Sequence, residues 1–166
     1  MAHILVVCTA NSCRSPVGEA ILRHRLHEKG LKEWVVGSAG TWALDGSQAA
    51  PHSIQLMAEQ GIDITNHSAR LVNEALLADV DLLLCMESGH VDAISTAYPA
   101  YAGKVYLISE MVGQQYSVAD PYGESLSSYR RMVAEITELI EKGLDRIVER
   151  AEAHAGDRQG SVENGR

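Results

Sequence analysis

A cysteine and an arginine near the start of the chain bracket five residues and are followed by Ser-Pro: Cys8-Thr9-Ala10-Asn11-Ser12-Cys13-Arg14-Ser15-Pro16. A cysteine thiolate is a strong nucleophile, and an arginine fork grips two oxygens of a phosphate at once. Five intervening residues suit a loop that curls round one small anion with its backbone N–H groups turned inward. Pro16 suits the first turn of a helix, whose N-terminus adds unsatisfied donors and positive dipole. The dipole and the Arg14 charge favour thiolate over thiol at Cys8, and the Ser15 hydroxyl can donate a hydrogen bond to it. Asn11 tolerates left-handed backbone and suits a tight curl, whereas Ala10 is expected at ordinary angles.

The chemistry this implies is in-line attack of sulfur on a held phosphoryl group. The S–P bond forms, the bond from phosphorus to the leaving group breaks, and water later clears the phosphocysteine. Arg14 and the amides of the loop (Thr9, Ala10, Asn11, Ser12, Cys13, Ser15) would spread over the equatorial oxygens, where transition-state charge resides. The leaving group needs a proton. Asp120, in Asp120-Pro121-Tyr122-Gly123, is the best-placed acid, and would afterwards act as base on the hydrolytic water.

These residues need a scaffold. Ile4 to Val7 is a continuous apolar run, the pattern of a parallel strand buried on both faces. A helical stripe follows from Pro16 to Gly30. Trp34 to Val36 reads as a second strand, followed by Gly37-Ser38-Ala39-Gly40 as a turn. Ser53 to Gly61 reads as a helix, Val80 to Met86 as a strand, Val91 to Ala97 as a short helix and Lys104 to Ile108 as a fourth strand. Val112 to Gly123 is loop-like, and Ser127 to about Ala153 is the longest helix. The expected fold is α/β: a three-layer αβα sandwich on a four-stranded parallel sheet, with a phosphate-binding loop after strand 1. Ligands of such sheets sit beyond the carboxyl ends of the strands, where strand 1 delivers Cys8. Residues 1–153 form one domain, and the polar, glycine-dotted residues 154–166 are expected to be a disordered tail.

Composition narrows the classes. The chain has 166 residues, 46% hydrophobic and 22% charged, with net charge -8. That balance argues against nucleic acid as a partner, yet a few aimed donors can still hold an anion. No apolar run is long enough to span a membrane, and none resembles a signal peptide, so a cytoplasmic protein is expected. Three cysteines without C-x2-C spacing argue against a disulfide scaffold and structural zinc. Cys85, inside an apolar run, reads as core, and His24 and His27 as surface residues.

The stretch VCTANSCRSP resembles the signature of the low-molecular-weight protein tyrosine phosphatases, C-x5-R-S-P near the N-terminus, and DPYG resembles their acid loop. Between them, Ser38 to Thr41, His67 to Arg70 and the DLLLCM strand fall in the family's order, so the resemblance spans roughly residues 3–150. It implies Cys8 as nucleophile, Arg14 as phosphate clamp and Asp120 as general acid. Asn11, Ser38 and His67 match a polar network that braces the loop, and Trp42 and Tyr122 match residues that line the substrate entrance. The implied substrate is a phosphorylated protein or peptide. The implied enzyme is an expected monomer that uses no cofactor or metal and binds neither nucleic acid nor membrane. The family also suggests that Cys13 captures an oxidised Cys8 as a reversible disulfide.

This sequence departs from the family at position 12. Tyrosine-specific members usually have a bulky aliphatic residue there; this chain has Ser12, similar to the small hydroxyl residue of the bacterial branch that removes phosphate from arginine. Phosphotyrosine hydrolysis is the leading expectation and protein-arginine phosphatase the alternative. Arsenate reductase shares the loop but needs a relay of further cysteines, and none follows Cys85. A phosphocarrier would have no use for Arg14 and Asp120, which speed loss of the phosphoryl group.

Overall fold

Strand β1 (His3–Cys8) carries side chains into two separate cores, as a parallel strand covered on both faces must. Ile4, Val6 and Cys8 enter one core; Leu5 and Val7 enter the other. The computed structural model describes residues 1–163. Beside β1 lie β2 (Val35–Gly40), β3 (Leu82–Cys85) and β4 (Val105–Leu107), in the order β2-β1-β3-β4 and all parallel. Helices α1 (Arg14–Glu28), α2 (Pro51–Glu59) and α5 (Leu126–Glu163) cover the face of Ile4 and Val6. The short α3 (Glu74–Ala78) and α4 (Ser88–Ala97) cover the other. This is the three-layer αβα sandwich. The chain goes from β1 to one side and returns for β3 on the other, so the switch point lies at the carboxyl ends of β1 and β3. No helix among the described residues is long and apolar enough to cross a membrane.

Three details differ from the sequence reading. Gly37-Ser38-Ala39-Gly40, expected as a turn, makes up the last four of the six residues of β2. Its glycines serve close approach rather than chain reversal. A Cβ on Gly40 would stand 2.3 Å from the Thr9 carbonyl oxygen, and one on Gly37 would stand 2.5 Å from Arg70 Nη2. Gly40→Ala is therefore expected to cost about 3 kcal/mol, because its nearest obstacle is backbone. Urea denaturation checks this, and a loss under about 0.5 kcal/mol would show that the loop has room to yield.

The second difference is α3. Its five residues are too few for a periodic signal, and its start is set by Asn73 Oδ1 accepting the Leu76 N–H at 2.9 Å. The third is the end of the chain. The tail expected to be disordered from residue 154 continues α5 as helix to Glu163; residues 164–166 lie outside the described residues. Ala151 and Ala155 are buried, and Arg158 Nε pairs at 2.9 Å with the fully buried carboxylate of Asp81. Polar composition suggested a solvated tail because the buried carboxylate that holds it lies far away in sequence.

Candidate active site

The loop after β1 makes its sharpest turn at Asn11, whose φ is 55°, the one positive value at a non-glycine residue among the described residues. Ala10 has ordinary backbone, as expected. The Asn11 side chain then locks the turn. Its Oδ1 accepts the Arg70 N–H at 3.0 Å, which fixes Nδ2 as the donor to Ser15 Oγ at 2.7 Å and to Ser38 Oγ at 2.9 Å. His67 Nε2 donates to the Asn11 carbonyl at 2.7 Å, and Arg70 Nε donates to the Ser38 carbonyl at 2.9 Å.

Other loop carbonyls are also bonded to the surrounding elements. Cys8 and Thr9 accept from the Thr41 and Trp42 N–H groups at 3.0 and 2.9 Å. Ser12 accepts from the Ala50 N–H at 2.9 Å, and Cys13 from Ser53 Oγ at 3.0 Å. In a trans peptide the N–H points opposite to the C=O, and the structure has no cis bonds. Carbonyls held outward therefore turn the N–H groups of Thr9, Ala10, Ser12, Cys13 and Arg14 toward the centre of the loop. That is a nest for an anion.

Cys8 Sγ lies beneath this centre, 3.0 Å from Ser15 Oγ. Ser15 Oγ already accepts from Asn11, so its own proton is free for the sulfur. Arg14 opens α1 and is 1% exposed. Its Nη1 is held by the Val118 carbonyl at 2.7 Å and Glu87 Oε2 at 2.8 Å. Nη2 stands 3.4 Å from Thr9 Oγ1 and 3.5 Å from Asp120 Oδ2. Nε is buried without an acceptor among the described residues. A guanidinium clamped tightly through Nη1, with only long contacts at Nη2 and Nε unspent, is built to offer that other edge to an acceptor.

Cys8, Arg14 and Asp120 border one pocket of about 210 Å3, together with Thr9, Ala10, Ser12 and Cys13. Trp42 and Tyr122 also line it, with 84% and 75% of their surface exposed. Asp120 lies at the rim, where its Oδ1 accepts the Tyr122 N–H at 3.2 Å. Ser38 and His67 stand behind the loop, outside the pocket. Cys13 is buried, its Sγ 3.3 Å from the Tyr129 hydroxyl. Burial pushes the Cys13 and Cys85 thiols above their ordinary range. All three cysteines are unpaired. His24 lies on the surface beside Glu28.

Sequence reading missed Glu87, His90 and the Val118 carbonyl. Glu87 follows the end of β3, the strand next to β1, and the rule that places ligands beyond strand ends marks that position. His90 and Val118 left no comparable sign.

The chain is similar in sequence and in fold to known phosphatases. Residues 3–153 match the family described as low molecular weight phosphotyrosine protein phosphatase. A probable low molecular weight protein-tyrosine-phosphatase, EpsP of Ralstonia nicotianae, is 39% identical over 150 residues, which cover 90% of this chain and 96% of the relative. A protein-arginine-phosphatase of Bacillus subtilis is 35% identical over 138 residues, 82% of this chain and 91% of the relative. A solved structure of the YwlE arginine phosphatase, a cysteine-to-serine mutant with a phosphorylated active site serine, superposes with a TM-score of 0.84. It is 30% identical and the match covers 93% of this chain and 99% of that one.

Proposed function

Since this chain belongs to the low molecular weight phosphotyrosine protein phosphatase family, a family of cysteine-dependent phosphatases, we propose that it hydrolyses phosphotyrosine in proteins, with Cys8, Arg14 and Asp120 as its catalytic residues. The inward amides and the free edge of Arg14 hold the three non-bridging oxygens. Cys8 Sγ, stabilised as thiolate by the Ser15 proton, attacks phosphorus from the side opposite the leaving oxygen. Asp120 gives that oxygen its proton as the P–O bond breaks. The same carboxylate then takes a proton from water, which attacks the phosphocysteine and releases phosphate and thiolate. Asn11, Ser38 and His67 keep the loop in its anion-binding shape. Arg14 and the amides supply the charge stabilisation, so turnover is expected to survive a chelator, and vanadate is expected to inhibit.

The observation that carries the tyrosine reading is the pair of exposed aromatic side chains, Trp42 and Tyr122, at the mouth of the pocket. A phenyl ring can stack between such faces on its way to the thiol. Ser12 in the pocket wall favours a second reading, a protein-arginine phosphatase, since a small hydroxyl residue leaves room for a guanidinium that an aliphatic side chain would fill. Matched phosphotyrosine and phosphoarginine peptides separate the two. We expect kcat/KM to favour phosphotyrosine by about tenfold or more, and Ser12→Ile to lower phosphoarginine turnover about tenfold while leaving phosphotyrosine within about threefold. Faster turnover of phosphoarginine by the unaltered protein would overturn the first reading in favour of the second. We further propose that the protein acts in the cytoplasm on phosphorylated protein partners, as a monomer in which one chain supplies Cys8, Arg14 and Asp120 to the same pocket.

A further inference from the structure

We propose that His90 is a positioning residue for this reaction, fixing Thr9, the neighbour of the nucleophile, in register with Arg14. The inference rests on the reading of Cys8 and Arg14 as catalytic.

His90 lies in the first turn of α4, buried against the phosphate loop. Its Nδ1 accepts the Glu87 N–H at 3.1 Å. A neutral imidazole carries one proton, so that contact leaves the proton on Nε2. Nε2 then donates to Thr9 Oγ1 at 2.8 Å. Burial and the Arg14 charge push His90 down to about 4, against the pull of Glu87 and Asp120, so the ring stays neutral and keeps one tautomer near neutral pH.

The arrangement joins two catalytic groups through one short segment. Glu87 reaches Arg14 Nη1 at 2.8 Å, and three residues on His90 reaches the residue covalently attached to Cys8. Thr9 Oγ1 itself lies 3.4 Å from Arg14 Nη2. The start of α4 therefore sets the spacing between thiol and guanidinium. From the other side Thr9 is held by the Trp42 N–H on its carbonyl. Without His90 its hydroxyl keeps only the long contact to Arg14 Nη2, and the aim of Cys8 Sγ at phosphorus loosens. Aim acts on the chemical step, whereas binding of the phosphoryl oxygens depends on Arg14 and the remaining amides.

The test is a double-mutant cycle in steady-state hydrolysis of p-nitrophenyl phosphate, using Thr9→Val, His90→Leu, their combination, and His90→Gln. Each single change is expected to lower kcat about tenfold with KM within about threefold, and the pair to be no worse than about twofold below either alone. Glutamine places an N–H close to where Nε2–H stands, so His90→Gln is expected to recover kcat to within about threefold of the unaltered protein. Wild-type kcat in Thr9→Val, additive losses, or a glutamine variant no better than leucine would each overturn the proposal. If His90→Leu fails to fold, the near-isosteric Thr9→Val removes the same hydrogen bond from the other end. It should cost as much in kcat by itself, and added to His90→Gln it should lower kcat to the Thr9→Val level; a kcat left unchanged there would overturn the proposal. An unaltered protein inert toward every aryl phosphate would instead sink the catalytic reading beneath it.

Discussion

Cys8→Ser is expected to lower turnover of aryl phosphates by a factor of about 10^4 or more while the protein still binds inorganic phosphate. The two halves of that result come from different atoms. The anion is held by five inward amides and the free edge of Arg14, none of which the substitution touches. The attack depends on a sulfur nucleophile that accepts a hydrogen bond from the Ser15 hydroxyl at 3.0 Å. A serine hydroxyl is not ionised near neutral pH, and a hydrogen bond aimed at sulfur does not deprotonate it. Steady-state rates and calorimetric phosphate binding measure the halves separately. Residual turnover above about one per cent would mean that Cys8 is not the nucleophile.

Asp120→Asn is the second large effect, and its size should depend on the leaving group. Asparagine keeps the shape of the side chain and its hydrogen bond from the Tyr122 N–H, but can neither give nor take the proton. For phosphotyrosine, whose phenolate leaves reluctantly, kcat is expected to fall about 10^2 to 10^3-fold. For p-nitrophenyl phosphate the first step scarcely needs an acid, yet water attack on the intermediate still needs a base. The rate-limiting step then moves to dephosphorylation, and a burst of nitrophenolate should precede slow turnover. Stopped-flow absorbance reads the burst. Equal losses for both substrates with no burst would remove Asp120 from both roles.

The parts of this site that were legible in the sequence are those that neighbours in the chain decide. Cys8, Arg14 and Ser15 come from one short segment, so their chemistry and the strand-to-helix setting stood together. Asn11 was readable because few residue types accept the left-handed turn, and its φ is 55°. Parts that depend on distant contacts were not legible. Glu87 and His90 matter only because β3 pairs with β1 and brings α4 to the loop. Gly37 and Gly40 looked like turn residues; their missing Cβ atoms instead make room for Arg70 and the Thr9 carbonyl, which no local pattern records. The helical extension to Glu163 depends likewise on Asp81, a partner far back in the chain.

If the phosphoryl group passes through Cys8, the phosphocysteine can be captured directly. Asp120→Asn is mixed rapidly with p-nitrophenyl phosphate, denatured in alkali during the burst, digested and read by mass spectrometry. Phosphate is expected on the sulfur of Cys8 in most of the molecules. Phosphate on another residue, or a burst with none attached to the protein, would contradict it.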